Sequence, residues 1–156
     1  MESAGGHERS KNAGFPPTVG ESGGQFSDMA RNDSRLRVLV VEDDLLIRWA
    51  VTETLTEAGH FVIEAMDGAS AIRALTNSAD PIDVVLLDYR LPDSPDLALL
   101  AAIKRLSPRS AVVVVTAYGT PEIAARAREL GAFRVINKPF DLHDLEPSLR
   151  LAAASI

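Results

Sequence analysis

The sequence predicts a doubly wound α/β fold, a five-stranded parallel sheet with helices on both faces. Three observations carry that prediction. Short apolar, β-branched runs recur from Arg35 onward, several of them apolar at successive positions, as strands covered on both faces are. Amphipathic stretches of helical period alternate with these runs. The connections are short, and strand–helix alternation of this kind winds right-handed crossovers onto a parallel sheet.

The strands are expected at Val38–Val41, Phe61–Ile63, Val84–Leu87, Val112–Val115 and Val135–Ile136. In the first helix, Ile47, Val51, Thr54, Leu55 and Ala58 share one face, and Gly59 follows as a stop signal. The second covers about Gly68–Thr76, with Ala71, Ile72 and Leu75 inward. The third is expected to start at Ser94-Pro95, a capping residue followed by proline at the first helical position, and to continue through Leu99, Leu100 and Ile103. Thr120-Pro121 opens the fourth by the same logic; Ile123, Ala124, Ala127 and Leu130 form its apolar face, and Gly131 ends it. The fifth follows Asp141. Pro147 is expected to break it or to mark its proper start, because a proline deep in a helix clashes with the preceding turn.

Residues 1–34 are rich in Gly, Ser, Pro and Asn without apolar periodicity, so they are expected to form a disordered extension. Residues 35–156 are then one domain. Met29 stands just before the first strand, where a natural start would fall. A net charge of −6 leaves no basic stripe for nucleic acid. The lack of cysteine excludes disulfides and thiolate chemistry. No apolar run approaches the roughly 20 residues of a membrane span. The N-terminus lacks the apolar core of a signal peptide, so a cytoplasmic location is expected.

Ligands of a doubly wound sheet bind beyond the carboxyl ends of its strands. Four strand ends carry polar groups there: "VVEDD" brings Asp43 and Asp44, "LLDYRLPD" brings Asp88, "VVTAYG" brings Thr116 and "INKPF" brings Lys138. Each has an ordinary explanation alone, a helix cap for the first acids, a strand-end residue for Thr116 and a solvated loop lysine for Lys138. Asp88 is harder to explain that way, since an apolar run leads into it and burying a carboxylate without a partner is costly. Together they are a set. Clustered acids without His or Cys favour a hard cation with oxygen ligands such as Mg²⁺. An aspartate beside a cation, a lysine and a hydroxyl can accept a phosphoryl group as an aspartyl phosphate.

From about Arg37 to Leu149, these motifs in this order and separation resemble the receiver domain of two-component response regulators. The resemblance implies a flavodoxin-like sheet of order 2-1-3-4-5. It implies that Asp88 takes a phosphoryl group from a histidine of a sensor kinase or phosphotransfer protein. Asp43 and Asp44 would hold Mg²⁺, Asp44 directly and Asp43 through water, and the backbone carbonyl of Arg90 would complete the shell. Lys138 would pair with the phosphoryl oxygens, Thr116 would be the switch hydroxyl, and the Lys138–Pro139 bond would be cis. Partners would be the histidine protein, a downstream protein target and a phosphorylation-dependent homodimer, with no nucleic acid and no membrane.

Three departures from the family pattern stand out. Val135 occupies the place of the usual aromatic residue of the fifth strand, Asp96 stands where a glycine usually precedes the third helix, and no output domain is expected beyond the fifth helix. The expectation is therefore a stand-alone module signalling by protein contact. The competing reading is a degenerate receiver acting as a constitutive adaptor, against which the intact set of site residues weighs. An enzyme is not expected: Arg90 stands where a dehalogenase-type phosphatase needs an acid, and "EDDLLI" is no glycine-rich phosphate loop. Two aromatics complete the list of candidates. Trp49 lies off the apolar face of the first helix, as an anchor for a partner, and Tyr118 is placed to replace the missing switch aromatic.

Overall fold

Each apolar run becomes a strand of a single parallel sheet. The computed structural model describes residues 35–156, and the disorder expected for residues 1–34 falls outside them. The strands are β1 (Arg37–Val41), β2 (Phe61–Ala65), β3 (Val84–Asp88), β4 (Ala111–Thr116) and β5 (Arg134–Asn137). They alternate with α1 (Leu45–Glu57), α2 (Gly68–Asn77), α3 (Ala98–Leu106), α4 (Pro121–Glu129) and α5 (Leu142–Ala154). The sheet order is β2-β1-β3-β4-β5, with every neighbouring pair parallel. This is the order that the resemblance implies.

Side chains alternate across the pleat and build two cores. Leu39, Val41, Val85, Leu87, Val112 and Val114 face α2, α3 and α4, where Ala71, Leu100, Ile103 and Ala127 are buried. Val38, Val40, Val84, Leu86, Val113 and Val115 face α1 and α5, where Val51, Leu55, Leu145 and Leu149 are buried. Helix α4 starts where the sequence indicates. Thr120 accepts a hydrogen bond from the Ile123 N–H at the head of α4, with Pro121 next in the chain. Gly59 and Gly131 follow α1 and α4 at φ 93° and 103°, the left-handed conformation that glycine supplies without strain.

Two expectations are corrected. Helix α3 starts at Ala98, not at Ser94-Pro95. Ser94 is instead committed to a tight turn, its carbonyl accepting from the Leu91 N–H (3.0 Å) and its N–H donating to the Leu91 carbonyl (3.2 Å). The first amide of α3 is met by Asp96, whose side chain accepts from Ala98 at 2.8 Å. Helix α5 is continuous through Pro147. Proline costs a helix interior about 3 kcal/mol. Fully burying Leu145 and Leu149 contributes about 1.5–3 kcal/mol each, so tertiary packing outweighs the local preference.

Candidate functional site

The sheet register sets the site. Val41 pairs with Leu87, so the next residues, Glu42 and Asp88, emerge side by side at the carboxyl ends of β1 and β3. Both are buried. Lys138, just past β5, reaches back over the sheet edge. Its Nζ lies 2.9 Å from Glu42 Oε2 and 3.4 Å from Asp88 Oδ1. The Lys138–Pro139 bond is cis. Glu42, Asp43 and Asp88 each offer a carboxylate oxygen, and these atoms lie within 4.8 Å of one another.

Three acids around one ammonium leave the cluster net negative, and the charges show it. Burial and the Glu42 carboxylate push the Asp88 carboxyl from 3.8 up to about 6, Lys138 opposing them. Burial works against the Lys138 charge, yet the bonds to Glu42 and Asp88 hold its ammonium above the ordinary value. Such an all-oxygen, anionic donor set fits a hard divalent cation.

The expected ligand Asp44 is not in the cluster. Its carboxylate caps α1, accepting from the Leu46 (2.9 Å) and Ile47 (3.1 Å) amides. Glu42 takes the place that the sequence reading gave to it. Its Oε1 also accepts from the Asp44 N–H at 3.2 Å, tying cap and cluster together. The residue was missed because three acids follow one another and their order does not say which turn inward. A signal was present: like Asp88, Glu42 is the first polar residue after an apolar strand.

Thr116 ends β4 and is 1% exposed. Its hydroxyl oxygen accepts from the Tyr118 N–H at 3.1 Å, and its carbonyl accepts from the Lys138 N–H at 2.8 Å. The β4–α4 loop sits tightly on β5: a Cβ on Gly119 would lie 2.1 Å from Asn137 Oδ1. A side chain there would have to turn the Asn137 amide aside and press on Thr116 Cγ2 at 3.0 Å. The Tyr118 ring is exposed and lies against the Arg90 guanidinium, 5.2 Å from its centroid. Val135 is half-buried, packed against the core on the side of α2, α3 and α4. Trp49 is 61% exposed on α1, as its place off the apolar face indicates. Ile47, Ala50, Ala117, Pro139 and Phe140 line an open groove of about 420 Å³ that reaches Lys138.

Residues 38–150 match the family model described as the response regulator receiver domain. The transcriptional regulatory protein PdtaR of Mycobacterium tuberculosis is 39% identical over 121 residues, which is 76% of this chain and 57% of that protein. The chain thus spans little more than half of that relative. Sporulation initiation phosphotransferase F of Bacillus subtilis is 28% identical over 73% of this chain and 90% of its own length. A CheY-like response regulator receiver domain protein from Methanospirillum hungatei superposes with a TM-score of 0.72 at 26% identity, covering 78% of this chain and 96% of that one. Among the described residues, no helix is long and apolar enough to cross a membrane.

Proposed function

Because this chain belongs to the response regulator receiver domain family, we propose that it accepts a phosphoryl group on Asp88 from a phosphohistidine. The donor is a sensor kinase or a phosphotransfer protein, and the output is a phosphorylation-dependent protein contact. One observation carries the reading. Asp88 is buried at a strand end, within reach of one ammonium and two further carboxylates, yet Lys138 sits closer to Glu42 and leaves an Asp88 oxygen free. A carboxyl titrating at about 6 is ionised at neutral pH, as a nucleophile must be.

In this reading an Asp88 oxygen attacks phosphorus, and the new P–O bond forms as the donor's P–N bond breaks. Glu42, Asp43, Asp88 and the Arg90 carbonyl would hold Mg²⁺, which supplies positive charge to the equatorial oxygens. Lys138 adds its own charge to the same oxygens. Thr116 donates its hydroxyl to the incoming group. The test is incubation with acetyl phosphate and Mg²⁺ followed by intact mass measurement. A gain of one phosphate is expected, and an unchanged mass would end the proposal.

The placement of Asp44 reverses the order of effects expected at the metal. In a Mg²⁺ titration, Asp43→Ala should weaken binding strongly and Asp44→Ala little. The latter should instead lower stability by about 1 kcal/mol, the usual cost of losing an N-cap. Equal losses of affinity would return Asp44 to the ligand set.

Tyr118 is the proposed switch residue. Its N–H rests on the Thr116 hydroxyl, so a hydroxyl drawn to a phosphoryl group leaves that amide to find another acceptor, and the loop moves. Tyr118→Ala, which keeps that N–H but removes the ring that the loop carries against Arg90, should take up phosphate but lose the phosphorylation-linked change in amide exchange across α4. If that change persists and only phosphate lifetime alters, the ring is a shield for the site.

Trp49 and the groove that reaches Lys138 are proposed to dock the histidine donor. Trp49→Ala should slow transfer from a cognate phosphohistidine protein several-fold, the effect of losing an aromatic anchor. Uptake from acetyl phosphate should be unchanged. Equal slowing with both donors would remove Trp49 from the interface.

A further inference from the structure

The loop after Asp88 is anchored at a second point, on a helix that carries none of the site residues. Asp93 lies in this loop, between β3 and α3, and its carboxylate reaches the first turn of α2. Oδ1 accepts from the Gly68 N–H at 2.7 Å and Oδ2 from the Ala69 N–H at 3.0 Å. Helix α2 already has its own cap: Asp67 accepts from the Ser70 N–H at 2.7 Å, and Ser70 Oγ accepts from the Asp67 N–H at 3.2 Å. Asp93 therefore takes the two remaining amides of that turn, which would otherwise face solvent. The contact is close. A Cβ on Gly68 would lie 3.1 Å from Asp93 Oδ1 and 3.4 Å from Leu99 Cδ2.

The anchor bears on the site through one rigid peptide. Ser94 follows Asp93, and its carbonyl accepts from the Leu91 N–H at 3.0 Å. That N–H belongs to the same planar peptide as the Arg90 carbonyl, and in a trans peptide the two point in opposite directions. Holding the Leu91 N–H on Ser94 therefore fixes where the Arg90 carbonyl points. Leu91 is itself buried, so the turn from Leu91 to Ser94 is packed below and tied above. At the other end, the Tyr89 N–H is held by the Val115 carbonyl at 2.8 Å.

We propose that Asp93 is a positioning residue for the metal shell: by fastening the loop to the first turn of α2 it sets the Leu91–Ser94 turn and thereby aims the Arg90 carbonyl. This rests on the proposed role of that carbonyl in holding Mg²⁺. It also makes α2 a structural support of the phosphorylation site, although no α2 side chain belongs to it.

The test uses the metal alone, with amide exchange as an independent readout. In the metal-free wild type, the Gly68, Ala69 and Leu91 amides should be protected. Asp93→Ala should expose all three and weaken Mg²⁺ binding by roughly tenfold, at the low end of what losing an outer-shell partner costs. Asp93→Asn, which keeps one carbonyl acceptor, should fall between. Asp67→Ala is the control, since it loosens the same helix turn without touching the loop, and its Mg²⁺ affinity should match the wild type. Unchanged Leu91 protection and Mg²⁺ affinity in Asp93→Ala would reduce Asp93 to a helix cap and overturn the proposal. An equal loss of affinity in Asp67→Ala would do the same. A wild type that binds no Mg²⁺ would sink the metal reading instead, and the anchor would then stand or fall on Leu91 protection.

Discussion

Asp88→Asn should reduce phosphate uptake from acetyl phosphate to nothing detectable while leaving the fold intact. Asparagine has the size of aspartate, and no buried acid loses its lysine, so the packing around β3 survives. What disappears is the charged oxygen that attacks phosphorus. The neighbouring acids are poor substitutes for different reasons. Glu42 is tied in place by Lys138 at 2.9 Å on one oxygen and by the Asp44 N–H at 3.2 Å on the other, so neither oxygen can move onto phosphorus. Asp43 is exposed, without the burial that excludes competing water. Intact mass with and without acetyl phosphate, checked against the circular dichroism of both proteins, reads the result. A phosphate gain retained by Asp88→Asn would move the acceptor to Asp43.

The same substitution should make the metal-free protein more stable at neutral pH. Burial and Glu42 raise the folded-state Asp88 carboxyl from 3.8 to about 6. Between those values the folded protein keeps a proton that the unfolded chain has released. Stability from this group is therefore full at low pH, falls as pH rises through that window and is level above it. A rise of that size corresponds to at most about 3 kcal/mol of stability lost across the window. Other groups slope differently. Glu146, whose burial is outweighed by bonds to His60 and Arg150, is held below its ordinary value and loses stability as pH falls through its lower range. The informative quantity is thus the difference between wild type and Asp88→Asn in urea unfolding, measured in chelator from pH 4 to pH 8. That difference should grow in favour of the variant across the window, and saturating Mg²⁺ should shrink it. A difference that is flat with pH would mean that Asp88 is not strained by its neighbours.

Much of this was legible in the sequence because it depends on periodicity and local chemistry. The apolar runs at Val38–Val41 and Val84–Leu87 could only be buried strands, and Gly59 and Gly131 ended their helices as expected. Asp88, Thr116 and Lys138 could be assigned to one rim because each closes a strand of the same parallel sheet. The failures came where two local readings compete. Ser94-Pro95 has the form of a helix start, but the pairing of Ser94 with Leu91 uses the same backbone groups. Pro147 has the form of a helix break, and burial of Leu145 and Leu149 overrides it.

The acids after β1 show the division most clearly. Sequence by itself determined that acids follow a buried strand and precede a helix, with Asp43 and Asp44 open both to capping and to the site. Which does which is decided by the pairing of Val41 with Leu87, which lies in no local stretch of chain. A parallel sheet carries neighbouring strands forward in step, so the residue after Val41 meets the residue after Leu87, and the helix cap falls two residues later. A shift of one position would exchange the roles, because successive side chains leave a strand on opposite faces.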